Sequence, residues 1–177
     1  MQMARFALRL LLPVLGAAVV LLAVALLGRW ASDSLRQDYT LPFTAIACVP
    51  PPGPEQAELL GEVQYFACMP DEVPLLDDDL AGRLRHAFER HPWVETVENV
   101  RISPRRITVR ISYRKPVLAV ETAGQMRAVD KNGILLPATA PTAGLPVFSG
   151  TASPPAGPAG SMWGDPGVAA AARAASP

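Results

Sequence analysis

The 177-residue sequence offers little from which a reactive or strongly charged site could be built. Sixteen lysines and arginines balance sixteen aspartates and glutamates. A formal net charge of zero leaves no basic field for a nucleic-acid backbone, and there is no long acidic block. There are two histidines, and His86 falls on a predicted helix with no second ligand four residues on. The two cysteines, Cys48 and Cys68, are too few for a disulfide scaffold. They read as small buried hydrophobes, the alternative being a bridge that an oxidising compartment would preserve. No Gly-rich phosphate loop occurs, and no Ser-His-Asp or Cys-His set stands in a recognisable context. The trio Asp77-Asp78-Asp79 reads as helix capping, not as a cation site. No catalytic, cofactor-binding or metal-binding residue can be nominated, and no nucleic-acid partner. The reading therefore turns toward a non-enzymatic binding or scaffolding module.

What the chain does have is a long uncharged run, Leu10–Leu27, broken only by Pro13 near its start. As a helix it rises about 27 Å, close to the roughly 30 Å hydrocarbon core of a bilayer. Arg5 and Arg9 precede it; Arg29 and the interfacial aromatic Trp30 follow. A cleaved signal peptide shares this pattern, and Ala23-Val24-Ala25 supplies small residues for cleavage. That site lies inside the run, and the run exceeds a typical signal core, so the expectation is an uncleaved membrane helix over 10–28. A cytoplasmic tail over 1–9 and a polar linker over 29–43 flank it, with the bulk of the chain on the far side.

Beyond the linker, Thr44–Val49 reads as a first strand, ended by the cluster Pro50-Pro51-Pro52-Gly53-Pro54. Leu59, Leu60, Val63, Phe66 and Ala67 recur at three and four, predicting an amphipathic helix over Glu55–Ala67. A second helix is expected after Asp77 as N-cap, with Leu80, Leu84, Ala87 and Phe88 as its buried stripe, ending at His91-Pro92. The period then changes to two. Val100 and Ile102, then Ile107, Val109, Ile111 and Tyr113, alternate with polar residues around the turn Ser103-Pro104-Arg105. The hairpin has one apolar face and one cationic face of Arg101, Arg110 and Arg114, read as solvated, the alternative being a protein or phospholipid contact. Pro116 breaks the second strand. Val117–Glu121 is again extended, and Met126–Val129 and Ile134–Leu136 flank the turn Asp130-Lys131-Asn132-Gly133. The segment 151–177 is rich in Pro, Ala and Gly, with a short helix expected from Asp165-Pro166 to Ala175. The order β-α-α-β-β, with one apolar face on each element, predicts a two-layer α+β fold.

That order resembles a POTRA domain, and particular residues sharpen the likeness. His91-Pro92-Trp93-Val94-Glu95 resembles the Pro-Trp-Val element after the second helix. Ser103-Pro104-Arg105-Arg106-Ile107-Thr108-Val109 resembles the approach to the next strand, and Tyr113-Arg114-Lys115-Pro116-Val117 its end. Val129-Asp130-Lys131-Asn132-Gly133 and Leu145-Pro146-Val147-Phe148-Ser149-Gly150 resemble two downstream motifs. In this order behind one membrane helix, the series resembles the FtsQ/DivIB family of bacterial cell-division proteins over roughly residues 10–150. The resemblance implies a POTRA-like domain over 44–116 and the start of a truncated distal β domain over 117–150. It implies a non-enzymatic single-pass scaffold of the inner membrane, its bulk in the periplasm at the division septum, docking division proteins such as FtsB and FtsL and helping regulate septal peptidoglycan synthesis. Because the later strands of the distal domain carry the FtsB contact in that family, the expectation is that either the chain is incomplete, or that contact is lost or made elsewhere. The alternative is a POTRA-containing accessory protein of an export or outer-membrane assembly system. Pro92, Trp93, Val94, Pro116, Asp130 and Gly133 are expected to define the fold, with Trp93 buried between helix and sheet.

Overall fold

The spacings that predict two helices produce two helices, each burying one stripe. The computed structural model describes residues 19–29, 39–51 and 55–176. They fall into two units, Met1–Thr40 and Leu41–Pro177. In the first, residues 19–29 are helical with exposed side chains. Among the described residues no helix is long and apolar enough to cross a membrane. Residues 10–18 of the expected span, and 30–38 of the expected linker, lie outside the described residues.

Helix α1 (Gln56–Ala67) buries Leu59, Leu60 and Val63, while Phe66, assigned to the same stripe from the sequence, is 44% exposed. Its C-cap, Cys68, is left-handed, with φ of 51°, and its N–H closes on the carbonyls of Gln64 and Tyr65. Helix α2 (Leu80–Glu89) buries Leu80, Leu84, Ala87 and Phe88, the whole predicted stripe. Its start differs from expectation. Asp79, not Asp77, holds the N-cap position, and its side chain makes no capping bond. Asp77 instead folds a tight local turn: Oδ1 accepts from the Asp79 N–H at 3.1 Å, and Oδ2 pairs with Arg83 at 2.6 Å.

The expected strand Thr44–Val49 does not form as a ladder. Phe43–Ala45 is a 3-10 turn, and only Ala47 pairs, in a parallel bridge to Thr108. Phe43 and Ile46 are both fully buried, and a separation of three suits a helical turn better than a pleat. Two further short strands, β1 (Thr40–Pro42) and β2 (Glu72–Pro74), form a ribbon that alternation in the sequence does not announce.

The hairpin is longer than predicted. Strand β3 (Val94–Ser103) pairs antiparallel with β4 (Arg106–Tyr113), with register shifts between Val94 and Thr96 and between Val97 and Asn99. Its apolar face, with Val97, Ile107 and Val109, meets both helices in one core. From the Ala47 bridge onward the order is helix α1, the short strand β2, helix α2 and the β3–β4 hairpin, so the first strand of the expected β-α-α-β-β order is reduced to one bridging residue.

A second layer follows. Strands β5 (Leu118–Thr122) and β6 (Gln125–Val129) form a hairpin whose turn places Ala123 and Gly124 at positive φ. Phe148 N–H and the Pro146 carbonyl bracket Ala119 on the other edge of β5. Helix α3 (Pro166–Ala175), capped by Asp165 accepting from the Gly167 N–H at 2.8 Å, lays Val168 and Ala172 on this hairpin. Trp163 is buried in the same core; its indole N–H donates to the Ser153 carbonyl at 2.8 Å and its backbone N–H to the Gly133 carbonyl at 2.9 Å. Residues 151–176 are thus packed structure.

Trp93 is 2% exposed, but its surroundings correct the expected position. It packs with Ala128, Leu136 and Ala140, all from the second layer, and with Tyr113. It joins the β3–β4 hairpin to the β5–β6 hairpin instead of filling the space between helix and sheet.

Candidate interaction surface

The residues that join the two layers also shape a cleft. The strand β4 ends at Tyr113, so alternation lapses and Arg114 is not on the cationic face where the sequence put it. Its side chain, 14% exposed, turns to Asp130, and Nη1 donates to Oδ2 at 2.9 Å. The Asp130 side chain is 2% exposed. Its other oxygen, Oδ1, accepts from the backbone N–H groups of Asn132 and Ile134, both at 2.9 Å. One carboxylate therefore closes the 130–133 turn and ties it to the end of β4.

Glycine is required at the end of that turn for two reasons. Gly133 has φ of +74°, and a Cβ there would stand 3.2 Å from the Cα of Ala169 in α3. Pro92 is half-buried, and Gly160 approaches it so closely that an added Cβ would lie 3.3 Å from its Cα. Val94 is fully buried in the first core. Of the motif residues nominated from sequence, Asp130 and Pro116 line the cleft. Trp93, Val94 and Gly133 do not line it.

The cleft has a volume of about 490 Å³ and is walled by Glu95, Tyr113, Lys115, Pro116, Asp130 and Lys131 among others. Lys131 Nζ meets Glu95 Oε1 at 2.8 Å across it. That hydrogen bond, and then the Glu95 charge, raise the Lys131 ammonium above its ordinary range. The Tyr113 hydroxyl donates to the Val49 carbonyl, and burial, reinforced by nearby Cys48, pushes its ionisation far up, so it is a neutral donor. The wall thus presents paired charges and fixed hydrogen-bonding groups, an arrangement suited to recognising another surface. Glu95, Tyr113 and Lys131 were not nominated as site residues from sequence, although each lies within one of the motifs quoted above.

Elsewhere, His91 is buried at the end of α2. Its Nδ1 faces the Trp93 N–H at 3.3 Å, and its Nε2 lies 2.7 Å from Glu62 Oε2. Both cysteines are free thiols; Cys68 is exposed, and burial pushes the Cys48 thiol up to about 11. Among the described residues no group of three His, Cys, Asp or Glu side chains could hold a metal ion.

Among the proteins similar to this chain are three described as cell division protein FtsQ. That of Streptomyces griseus is 36% identical over 73 residues, which is 41% of this chain and 35% of the relative. That of Koribacter versatilis (strain Ellin345) is 35% identical over 65 residues, 35% of this chain and 19% of the relative. That of Streptomyces bingchenggensis (strain BCW-1) is 37% identical over 93 residues, 50% of this chain and 34% of the relative. The chain spans about a third or less of the length of these curated relatives. No family model matches the chain, and no solved structure matches it.

Proposed function

We propose that this chain, an FtsQ/DivIB-type protein by its similarity to three cell division proteins, is a non-enzymatic scaffold of the bacterial division machinery. In this reading the apolar run 10–28 anchors it in the inner membrane, with the N-terminus in the cytoplasm and the α+β unit in the periplasm. Residues 44–116 act as a POTRA-like module and 117–150 as the start of a distal β layer. Pro92, Trp93, Val94, Pro116, Asp130 and Gly133 define the fold. The partners are other division proteins, of the FtsB and FtsL kind, and docking them contributes to control of septal peptidoglycan synthesis.

The observation that carries the reading is the similarity to the three relatives, and the two helices packed on the β3–β4 hairpin support it. The cleft at the junction of the two layers supports it, because its paired charges and the rigid Asp130 turn offer a preformed recognition surface. The test is a fluorescent fusion to the N-terminus, followed through dividing cells of the chain's own host. A band at the division site that disappears when residues 29–177 are removed is the expected result. A uniform membrane signal would overturn the division assignment.

A further inference from the structure

Eight arginines of this protein fall into two groups. Arg83, Arg85, Arg114 and Arg127 are spent on internal partners: Asp77, the Val97 carbonyl, Asp130 and the Leu136 carbonyl. Arg101, Arg105, Arg106 and Arg110 are all exposed, and among the described residues their side chains make no ion pair or hydrogen bond. These four gather on the outer face and turn of the β3–β4 hairpin.

The register explains their grouping. Arg110 stands opposite Asn99, and Arg101 opposite Thr108, so the two arginines are diagonal neighbours on one face, about 7–8 Å apart. With Asn99 and Thr108 they bound a small cleft of about 70 Å³. Two guanidinium forks flanking an amide and a hydroxyl suit a phosphate, which accepts bidentate bonds from arginine. Arg106 pairs in register with Ser103, next to Arg105 in the turn, and extends the charge to the hairpin tip. The nearby acids do not cancel it. Glu95 is taken by Lys131, and Glu98, the extra residue of the bulge between Val97 and Asn99, is exposed beside Asn99 and can offset only one of the four charges.

We propose that this arginine face docks on the anionic phospholipid headgroups of the bilayer to which the chain is tethered. The proposal rests on the membrane-anchor reading above. Two observations select lipid over an acidic protein. First, the face is polar throughout its middle, with Asn99, Thr108 and Arg110 exposed and no aromatic or aliphatic anchor of the kind that carries protein interfaces. Second, the apolar run ends at Leu27 and the folded unit begins at Leu41, so residues 28–40 bridge at most about 45 Å. Such a short tether keeps the face at high effective concentration near the headgroups, where a few surface charges suffice.

The experiment uses the full chain in proteoliposomes. Ser103→Cys, in a Cys68→Ser background, carries a fluorophore at the hairpin tip, and a headgroup-labelled zwitterionic lipid carries the quencher. Quenching is expected in phosphatidylcholine vesicles with about a third phosphatidylglycerol, and not in phosphatidylcholine alone, with loss at high salt. Each arginine near an anionic surface contributes about fivefold to the docked fraction, so R101Q/R110Q is expected to lower the docked-to-free ratio about 25-fold. R101K/R110K, which keeps the charge, is expected to retain most of it. Equal quenching in both lipid compositions, or quenching that survives R101Q/R110Q, would overturn the proposal. Displacement by micromolar polyglutamate would overturn it in favour of an acidic protein partner. Alkaline carbonate extraction of the same vesicles separates the two readings. A chain that is extracted defeats the anchor; a retained chain without lipid-dependent quenching defeats only the arginine face.

Discussion

Removing the Asp130 carboxylate should cost more stability than any other single polar change in the described structure. Asp130 is almost fully buried and bonds Arg114, the Asn132 N–H and the Ile134 N–H at once. In Asp130→Ala, Arg114 is left 14% exposed without its counter-charge, and its Nε already lacks a partner. Breaking a buried pair from one side costs about 3–5 kcal/mol. The two orphaned N–H groups would add about 1–3 kcal/mol each if both stayed dry, but Asn132 is exposed and water can reach it. The net expectation is a loss of about 4 kcal/mol, a large part of the ~5–15 kcal/mol that holds a domain together. Asp130→Asn keeps an oxygen for both N–H groups and loses only the charge, so it should lie near half that cost. Adding Arg114→Met to Asp130→Ala should recover stability, because it removes the stranded cation. The assay is urea unfolding of the full chain in mild detergent, followed by tryptophan fluorescence and checked by circular dichroism. A loss below about 1 kcal/mol for Asp130→Ala, or no recovery in the double variant, would refute the reasoning.

Trp163→Ala should cost about 3–5 kcal/mol by the usual penalty for a buried aromatic, and so should Trp93→Ala; unchanged melting in either would show that the layer it joins is not cooperative with the rest. Ending the chain at Gly150 removes Trp163, Val168 and Ala172 from the second core, and should expose Leu118 and Val120 to the dye ANS even though both helices of the first layer remain. Iodoacetamide at pH 8 should modify Cys68 quickly and Cys48 slowly, because burial holds the Cys48 thiol protonated up to about 11; equal rates by mass spectrometry would contradict that. The Asp165 carboxyl is held below its ordinary value of 3.8, first by the Ser153 N–H and then by the Gly167 N–H. Its lowered value means that the stability it lends is complete above 3.8 and fades as pH falls through the native value, so Asp165→Asn should flatten melting temperature against pH in that acid range and nowhere else.

Periodic signals in this sequence translate directly into elements, and interrupted ones do not. The stripe Leu80, Leu84, Ala87 and Phe88 was legible because four apolar residues on one face over more than two turns of a 3.6 period are hard to mimic by chance. Strand β3 was legible only from Val100, since two bulges upstream leave the apolar residues Val94, Val97 and Val100 three apart, a spacing that belongs to neither template. The Asp130–Gly133 turn was readable from Asp and Gly at its ends, but one oxygen of Asp130 is claimed by Arg114, sixteen residues away, and no local pattern carries that. Alternation even misplaced Arg114, because it runs on past the residue where the strand stops. Trp163 shows the same limit more strongly. It sits in a stretch of low complexity, is buried by packing against Leu118, Val129 and Val168, and donates to carbonyls of Ser153 and Gly133 that only the folded chain brings together. Trp93, Arg114, Asp130 and Trp163 all act by pairing across the two layers or within the second. The candidate cleft opens at that same junction, between Tyr113 and Asp130. The elements of this protein are therefore written in periods, whereas its recognition surface is written in distant pairs, and pairs are what a single sequence conceals.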